Sequence, residues 1–207
     1  MKIILENVSK RFGYEWIFRS INFQFNSGSK IAVIGPNGSG KSTLVRLLIG
    51  ANDPSKGSIE YFVEDQKIKV EDVNSHFSFT GPYMDLINNF NLKEMVKFHF
   101  SFRDAVDGIK TEEIADIALL SKAKNKEISK FSSGMQQRLK LTLALCSMSS
   151  CVILDEPTTN LDEPSKKWFE ELLHKYLGDR TLIIATNESR DADLCESTLN
   201  IADFKKK

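Results

Sequence analysis

The chain has 207 residues, enough for one large domain or two small ones, and its 41% hydrophobic content allows a substantial core. Lys plus Arg and Asp plus Glu number 28 each, so the formal net charge is zero and no global electrostatic pull toward nucleic acid or an acidic substrate is expected. No apolar run approaches the ~18 residues a membrane helix needs, and Glu6 interrupts the N-terminal apolar run too early for a signal peptide, so a cytosolic protein is predicted. Cys146, Cys151 and Cys195 are odd in number and form no C-x-x-C, and His76, His99 and His174 are scattered. The cysteines therefore read as reduced core residues, with no zinc cluster.

In chain order, residues 3–8 read as an opening strand. Residues 21–25 alternate apolar and polar as a half-exposed strand, and the two form antiparallel β structure beside the next element. Residues 26–29 turn the chain into an apolar run, Lys30-Ile31-Ala32-Val33-Ile34, read as a buried strand. Then comes Gly35-Pro36-Asn37-Gly38-Ser39-Gly40-Lys41-Ser42, a G-x-x-x-x-G-K-S phosphate-binding loop. Thr43 and the apolar residues after it open a helix, and Gly50 is its predicted stop. Glycines let the backbone curl until several N–H groups point at phosphate oxygens, and the helix N-terminus adds its dipole. Lys41 can reach the β- and γ-phosphates, and the Ser42 hydroxyl can ligate Mg²⁺.

A turn at 53–57 precedes a strand at 58–62, and the polar stretch 64–74 reads as a surface excursion. From about 84 to 146 the texture is helical. Leu92, Val96 and His99 share one face, with Met95 and Phe98 nearby. Ile114, Ile117 and Ala118 share another, with Leu119 and Leu120 following, and Leu139, Leu143 and Cys146 form a third stripe on a helix at 134–147. These stripes read as core. Residues 151–154 and 181–185 are fully apolar runs separated by a helix at 164–176, which predicts parallel neighbours in a buried sheet. Lys205, Lys206 and Lys207 are the one dense basic run, read as a solvated tail with weak attraction to anionic headgroups as the alternative.

The run Cys151-Val152-Ile153-Leu154-Asp155-Glu156 is an apolar strand ending in two acids, the Walker B pattern, at the strand end where open α/β sheets bind ligands. Asp155 is placed to hold Mg²⁺ through water, and Glu156 to orient and polarise the attacking water. Ahead of it stands Phe131-Ser132-Ser133-Gly134-Met135-Gln136-Gln137-Arg138, by itself an ordinary helix N-cap. In this order and context the chain resembles the ABC ATPase family, whose signature motif reads L-S-G-G-Q there. Pro157-Thr158-Thr159-Asn160-Leu161-Asp162 resembles that family's D-loop. Asn125-Lys126-Glu127-Ile128 is not a guanine-binding motif, which needs Asp where Ile128 stands.

The resemblance covers nearly the whole chain. It implies a single cassette domain, residues 1–207. Its fold would be a P-loop NTPase α/β core with a mostly parallel sheet, an N-terminal antiparallel β subdomain and an inserted helical subdomain at about 83–147. It further implies a head-to-tail dimer, homodimeric or with a second ABC ATPase. Two ATPs would each lie between one subunit's phosphate loop (Gly35 to Thr43) and the other's Ser132, Ser133 and Gly134, with Asp162 nearby. A second helix N-terminus there would close the open side of the γ-phosphate. Phe12 stands where the family keeps an aromatic residue stacking on adenine, with a core Phe as the alternative. Three departures stand out: the signature glycine and glutamine become Ser133 and Met135, in a run that resembles the variant of exporter ATPases; residues 79–83, Phe-Thr-Gly-Pro-Tyr, lack the family's Q-loop glutamine; and Asn187 stands at the switch-histidine position. Asparagine can hydrogen-bond to a γ-phosphate but cannot carry the charge of a protonated imidazole.

The expectation is an ATP-hydrolysing subunit of an exporter, peripheral on the inner face of the cell membrane. Its permease would be on a separate chain, and Tyr83, Phe98 or Phe102 would either contact that permease or pack in the core. A soluble ABC ATPase on ribosomes or DNA is disfavoured by the balanced charge, the single ATPase unit and the lack of a coiled coil. A regulatory module with scarce hydrolysis is the remaining alternative.

Overall fold

The computed structural model describes residues 1–205; the tail lysines Lys206 and Lys207 lie outside them. Two compact units are present, residues 1–77, 149–156 and 179–207 in one and 78–148 with 157–178 in the other. The helical insert expected at 83–147 falls inside the second unit, which also takes in residues 157–178.

The first unit opens with β1 (Lys2–Phe12) and β2 (Glu15–Phe25), antiparallel and each 11 residues long. β4 (Lys56–Val63) pairs with β1, and β5 (Gln66–Ile68) with β4, so this sheet runs β2-β1-β4-β5. The excursion expected at 64–74 is thus partly strand, followed by a 3₁₀ turn at Val70–His76. A register shift separates Lys10↔Phe18 from Arg11↔Trp16, so Phe18 and Trp16 sit on opposite faces of the sheet. Phe18 is fully buried and Trp16 only half-buried.

The second sheet runs β6-β7-β8-β3-β9, with β3 (Lys30–Ile34), β6 (Phe77–Thr80), β7 (Cys151–Asp155), β8 (Thr181–Thr186) and β9 (Ser197–Asn200). β7, β8, β3 and β9 are parallel, and every residue of β7 and β8 is buried, as their unbroken apolar composition demands. Register brings Ile34 opposite Thr186 and Asp155 opposite Ala185, so β3, β7 and β8 end at one level. α1 (Lys41–Leu48) follows β3, and α6 (Ser189–Ala192) follows β8.

The second unit contains α2 (Leu92–His99), α3 (Ile114–Ile117), α4 (Ser133–Cys146) and α5 (Glu163–Tyr176). Asn91 closes a capping box with Glu94 on α2. Leu92, Val96, Ile114, Ala118, Leu139 and Leu143 share one core, as their spacing predicts. Two residues grouped with these stripes lie outside it. Leu119 is 60% exposed in a left-handed turn (φ 55°) that ends the helical run after α3, and Phe98 is 41% exposed on the outer side of α2. No helix among the described residues is long and apolar enough to cross a membrane.

Candidate nucleotide site

The phosphate loop joins β3 to α1, as its motif requires. Gly40 caps α1 in the left-handed region (φ 108°), and a Cβ there would lie 2.5 Å from Ile17 Cγ2. At Gly35 a Cβ would lie 2.7 Å from Ser39 Oγ. Both positions therefore exclude a side chain sterically. The Ser39 hydroxyl itself is buried without a hydrogen-bond partner among the described residues.

Lys41 is 5% exposed and curls back over its own loop, its Nζ donating to Gly35 O at 2.9 Å and lying 3.2 Å from Glu156 Oε1. Glu156 follows β7 directly. Its backbone is left-handed (φ 51°), and its N–H donates to Ala185 O at 2.7 Å. A non-glycine residue in that conformation costs ~1–3 kcal/mol and persists where the surroundings over-determine it, as at sites that aim one side chain.

Asp155, the last residue of β7, is 2% exposed, and its Oδ1 has no hydrogen-bond partner among the described residues. Burial pushes its carboxyl above the ordinary Asp value; a hydrogen bond with Ser42 pulls it down, Glu156 pushes it up, and Lys41 and Arg46 oppose that. Asn187, just past β8, donates from Nδ2 to Asn37 Oδ1 at 3.1 Å, so the strand-end asparagine reaches the phosphate loop. Thus Gly35 through Ser42, Asp155, Glu156 and Asn187 converge at one end of the parallel sheet. The cluster sets the glycine-rich loop and its buried Lys41 beside a buried acid and a second, partly exposed one.

Phe12 ends β1 with 52% of its surface exposed and Lys10 Nζ 5.3 Å from its ring, which overturns the core alternative. Tyr83 (72%) and Phe102 (73%) are likewise exposed rather than core.

In the second unit, Ser132 is the N-cap of α4, its Oγ accepting from Met135 N at 3.3 Å. The Ser133 and Gly134 amides belong to the helix's first turn, where backbone donors lack helical acceptors. Asp162 caps α5 by accepting from Ser165 N at 3.0 Å; the Ser165 hydroxyl first, and then this backbone bond, hold its carboxyl below the ordinary value. Two residues that sequence reasoning had not singled out join these segments. Gln137 Nε2 donates to Pro157 O at 2.7 Å, and Arg138 Nη1 donates to Ser165 Oγ at 3.1 Å. Both sit at the end of the Ser132–Arg138 run, but their partners lie 20 and 27 residues on and carry no local sequence signal.

A family model described as ABC transporter matches residues 18–159. The chain is 32% identical over 180 residues to ATP-binding cassette sub-family A member 7 of Rattus norvegicus, covering 85% of this chain and 8% of that protein. It is 31% identical over 201 residues to the Nod factor export ATP-binding protein I of Sinorhizobium fredii, covering 94% of this chain and 58% of the relative. It is 33% identical over 172 residues to the zinc import ATP-binding protein ZnuC of Rickettsia prowazekii, covering 83% and 69%. The chain thus spans less than two thirds of the length of the first two relatives. The solved dimeric structure of an ATP-binding cassette in a post-hydrolysis state, bound to ADP and Pi, superposes with a TM-score of 0.82 at 23% identity over 99% of this chain and 97% of that one. At that identity the likeness is one of fold. The family match spans more than half of the chain and takes in the phosphate loop, the acidic strand end and the capped helix before it, and the chain therefore belongs to the ABC transporter ATPase family.

Proposed function

We propose that this cassette binds and hydrolyses ATP to drive a separate membrane permease, as one of two cassettes closing head to tail over two nucleotides. The observation that carries this reading is the Lys41–Glu156 ion pair beside buried Asp155. Lys41 is held by groups it must leave to meet a polyphosphate, and its departure frees Glu156 to orient a water at the γ-phosphate. Phe12, exposed at the end of β1, supplies the stacking surface for adenine. Ser132 with the Ser133 and Gly134 amides of a second copy closes the open side of the γ-phosphate.

Asp155 and Ser42 fit a divalent cation, because the buried Asp155 Oδ1 has no hydrogen-bond partner among the described residues and Ser42 is hydrogen-bonded to the same carboxylate. They would hold Mg²⁺, which would neutralise charge on the β- and γ-phosphate oxygens.

Exposed Tyr83, Phe98 and Phe102 form the permease contact in this reading, Phe98 and Phe102 packing edge to face at 5.1 Å. Export is inferred from the run Ser132-Ser133-Gly134-Met135-Gln136-Gln137-Arg138, which resembles exporter cassettes, and in this reading the chain works at the inner face of the cell membrane. A regulatory module that binds ATP and scarcely cleaves it is the second reading. Asn187 at the switch position and the absence of glutamine at 79–83 favour it.

Single-turnover ATP cleavage by excess protein separates the two. Wild type should cleave ATP, Lys41→Ala should lose nucleotide binding, and Glu156→Gln should bind ATP while cleaving it ~10²-fold or more slowly. Wild-type cleavage by Glu156→Gln overturns the assignment of the catalytic carboxylate, and bound but uncleaved ATP in wild type supports the regulatory module.

A further inference from the structure

We propose that Arg11, Arg19, Lys56 and Trp16 form a second site, for a phosphate-bearing anion, on the outer face of the N-terminal sheet. Three cations converge on the single indole of Trp16: the Arg19 guanidinium at 4.7 Å from the ring centroid, Arg11 at 5.5 Å and the Lys56 ammonium at 5.7 Å. None of the three forms an ion pair with a carboxylate among the described residues, and Arg19 Nε is buried without a hydrogen-bond partner there. Cation–π attraction favours each cation separately, but three like charges around one ring repel one another. An anion relieves that repulsion, and two guanidinium forks with an ammonium match the several acceptor oxygens of a phosphate group.

The site is separate from the phosphate loop. The register shift in β2 turns Phe18 and Ile17 toward Gly40, where an added Cβ would meet both side chains, and turns Trp16 to the opposite face beside Arg11. Glu15, the carboxylate next to Trp16 in sequence, is paired with Phe12 and so alternates to the other face. The shared ligand chemistry is a phosphate anion, whether free or on a lipid headgroup.

Trp16 is itself the reporter. The chain has two tryptophans, so Trp168→Phe leaves Trp16 as the sole source of indole emission. Lys41→Ala in the same protein silences the phosphate loop, which keeps this test independent of the proposed ATPase site. Emission is titrated with inorganic pyrophosphate, with phosphatidylglycerol vesicles and with phosphatidylcholine vesicles. A saturable change with pyrophosphate identifies a free phosphoanion, and a change with phosphatidylglycerol vesicles alone identifies a headgroup. In either case affinity should weaken about fivefold for each charge removed, in Lys56→Gln and further in Arg11→Gln/Lys56→Gln. Lys56→Gln, at an exposed strand start, keeps the test valid if the double variant does not fold. No response to either anionic probe, an equal response to phosphatidylcholine, or unchanged affinity in Lys56→Gln would overturn the proposal.

Discussion

Asp155 carries a conflict between stability and function. Burial raises its carboxyl above the ordinary value, so the folded chain holds the Asp155 proton more tightly than the unfolded chain does. Below the ordinary Asp range both states are protonated and there is no penalty; as the pH rises through the raised value, the folded state loses stability. Asp155→Asn should therefore stabilise the nucleotide-free protein at neutral pH by ~1 kcal/mol, the ordinary size of a single stabilising substitution. The gain should vanish in acid, and ATP cleavage should be lost. Thermal unfolding at pH 7 and pH 3.5 checks the first part, and a variant less stable than wild type at pH 7 contradicts it. Asn187 makes a neutral hydrogen bond to Asn37 where the family has an imidazole. Asn187→Ala should slow single-turnover cleavage. Asn187→His should speed it about five- to thirty-fold if the charge-assisted bond adds ~1–2 kcal/mol in the transition state. Equal cleavage by wild type and Asn187→Ala would remove Asn187 from the γ-phosphate. The motif residues themselves were legible in the sequence because their spacing is local. Lys41–Glu156 and Asn37–Asn187 were not, because parallel register alone brings together loops more than 100 residues apart.

At the scale of elements, β1 and β2 extend well beyond the predicted 3–8 and 21–25. Lys10, Arg11, Glu15 and Arg19 break the apolar alternation that marks a strand, yet backbone pairing continues through register shifts between the two strands. The pairing is satisfied by backbone groups, which sequence periodicity does not report. His99 shows the reverse case. Periodicity places it on the stripe of Leu92 and Val96, and the structure sets its Nε2 2.7 Å from Ser147 Oγ just past α4. Burial, and then the Arg103 charge, lower its pKa to about 4. The folded protein thus keeps His99 neutral while the unfolded chain protonates it near its ordinary 6.5. Its contribution is fully present above pH ~6.5 and declines as the pH falls toward 4. His99→Gln keeps a polar partner for Ser147 and should flatten the pH dependence of the unfolding midpoint between pH 6.5 and 4. An unchanged slope would place the acid sensitivity elsewhere.

At the scale of the whole molecule, the proposed head-to-tail arrangement sets a second copy's α4 N-terminus against the open side of a γ-phosphate. Glu156→Gln should therefore accumulate as an ATP-bound dimer on a sizing column, with wild type monomeric without nucleotide. Ser132→Ala, which removes the hydroxyl that caps α4, should weaken that dimer. A Glu156→Gln variant that retains ATP yet stays monomeric at micromolar concentration would contradict the head-to-tail arrangement.

The sequence alone determined the family, the order of the motifs and the parallel pairing of β7 with β8. These depend on short-range spacing and on unbroken apolar runs that must be buried on both faces. Tertiary structure decided what each group touches. It exposed Phe12, Tyr83 and Phe102, ended the helical run after α3 at Leu119, tied Lys41 to Glu156 and turned Trp16 outward into a ring of cations. The physical reason is common to all of these: exposure, ion pairing and strand register depend on neighbours distant in the chain, and periodicity records only which residues prefer to leave water.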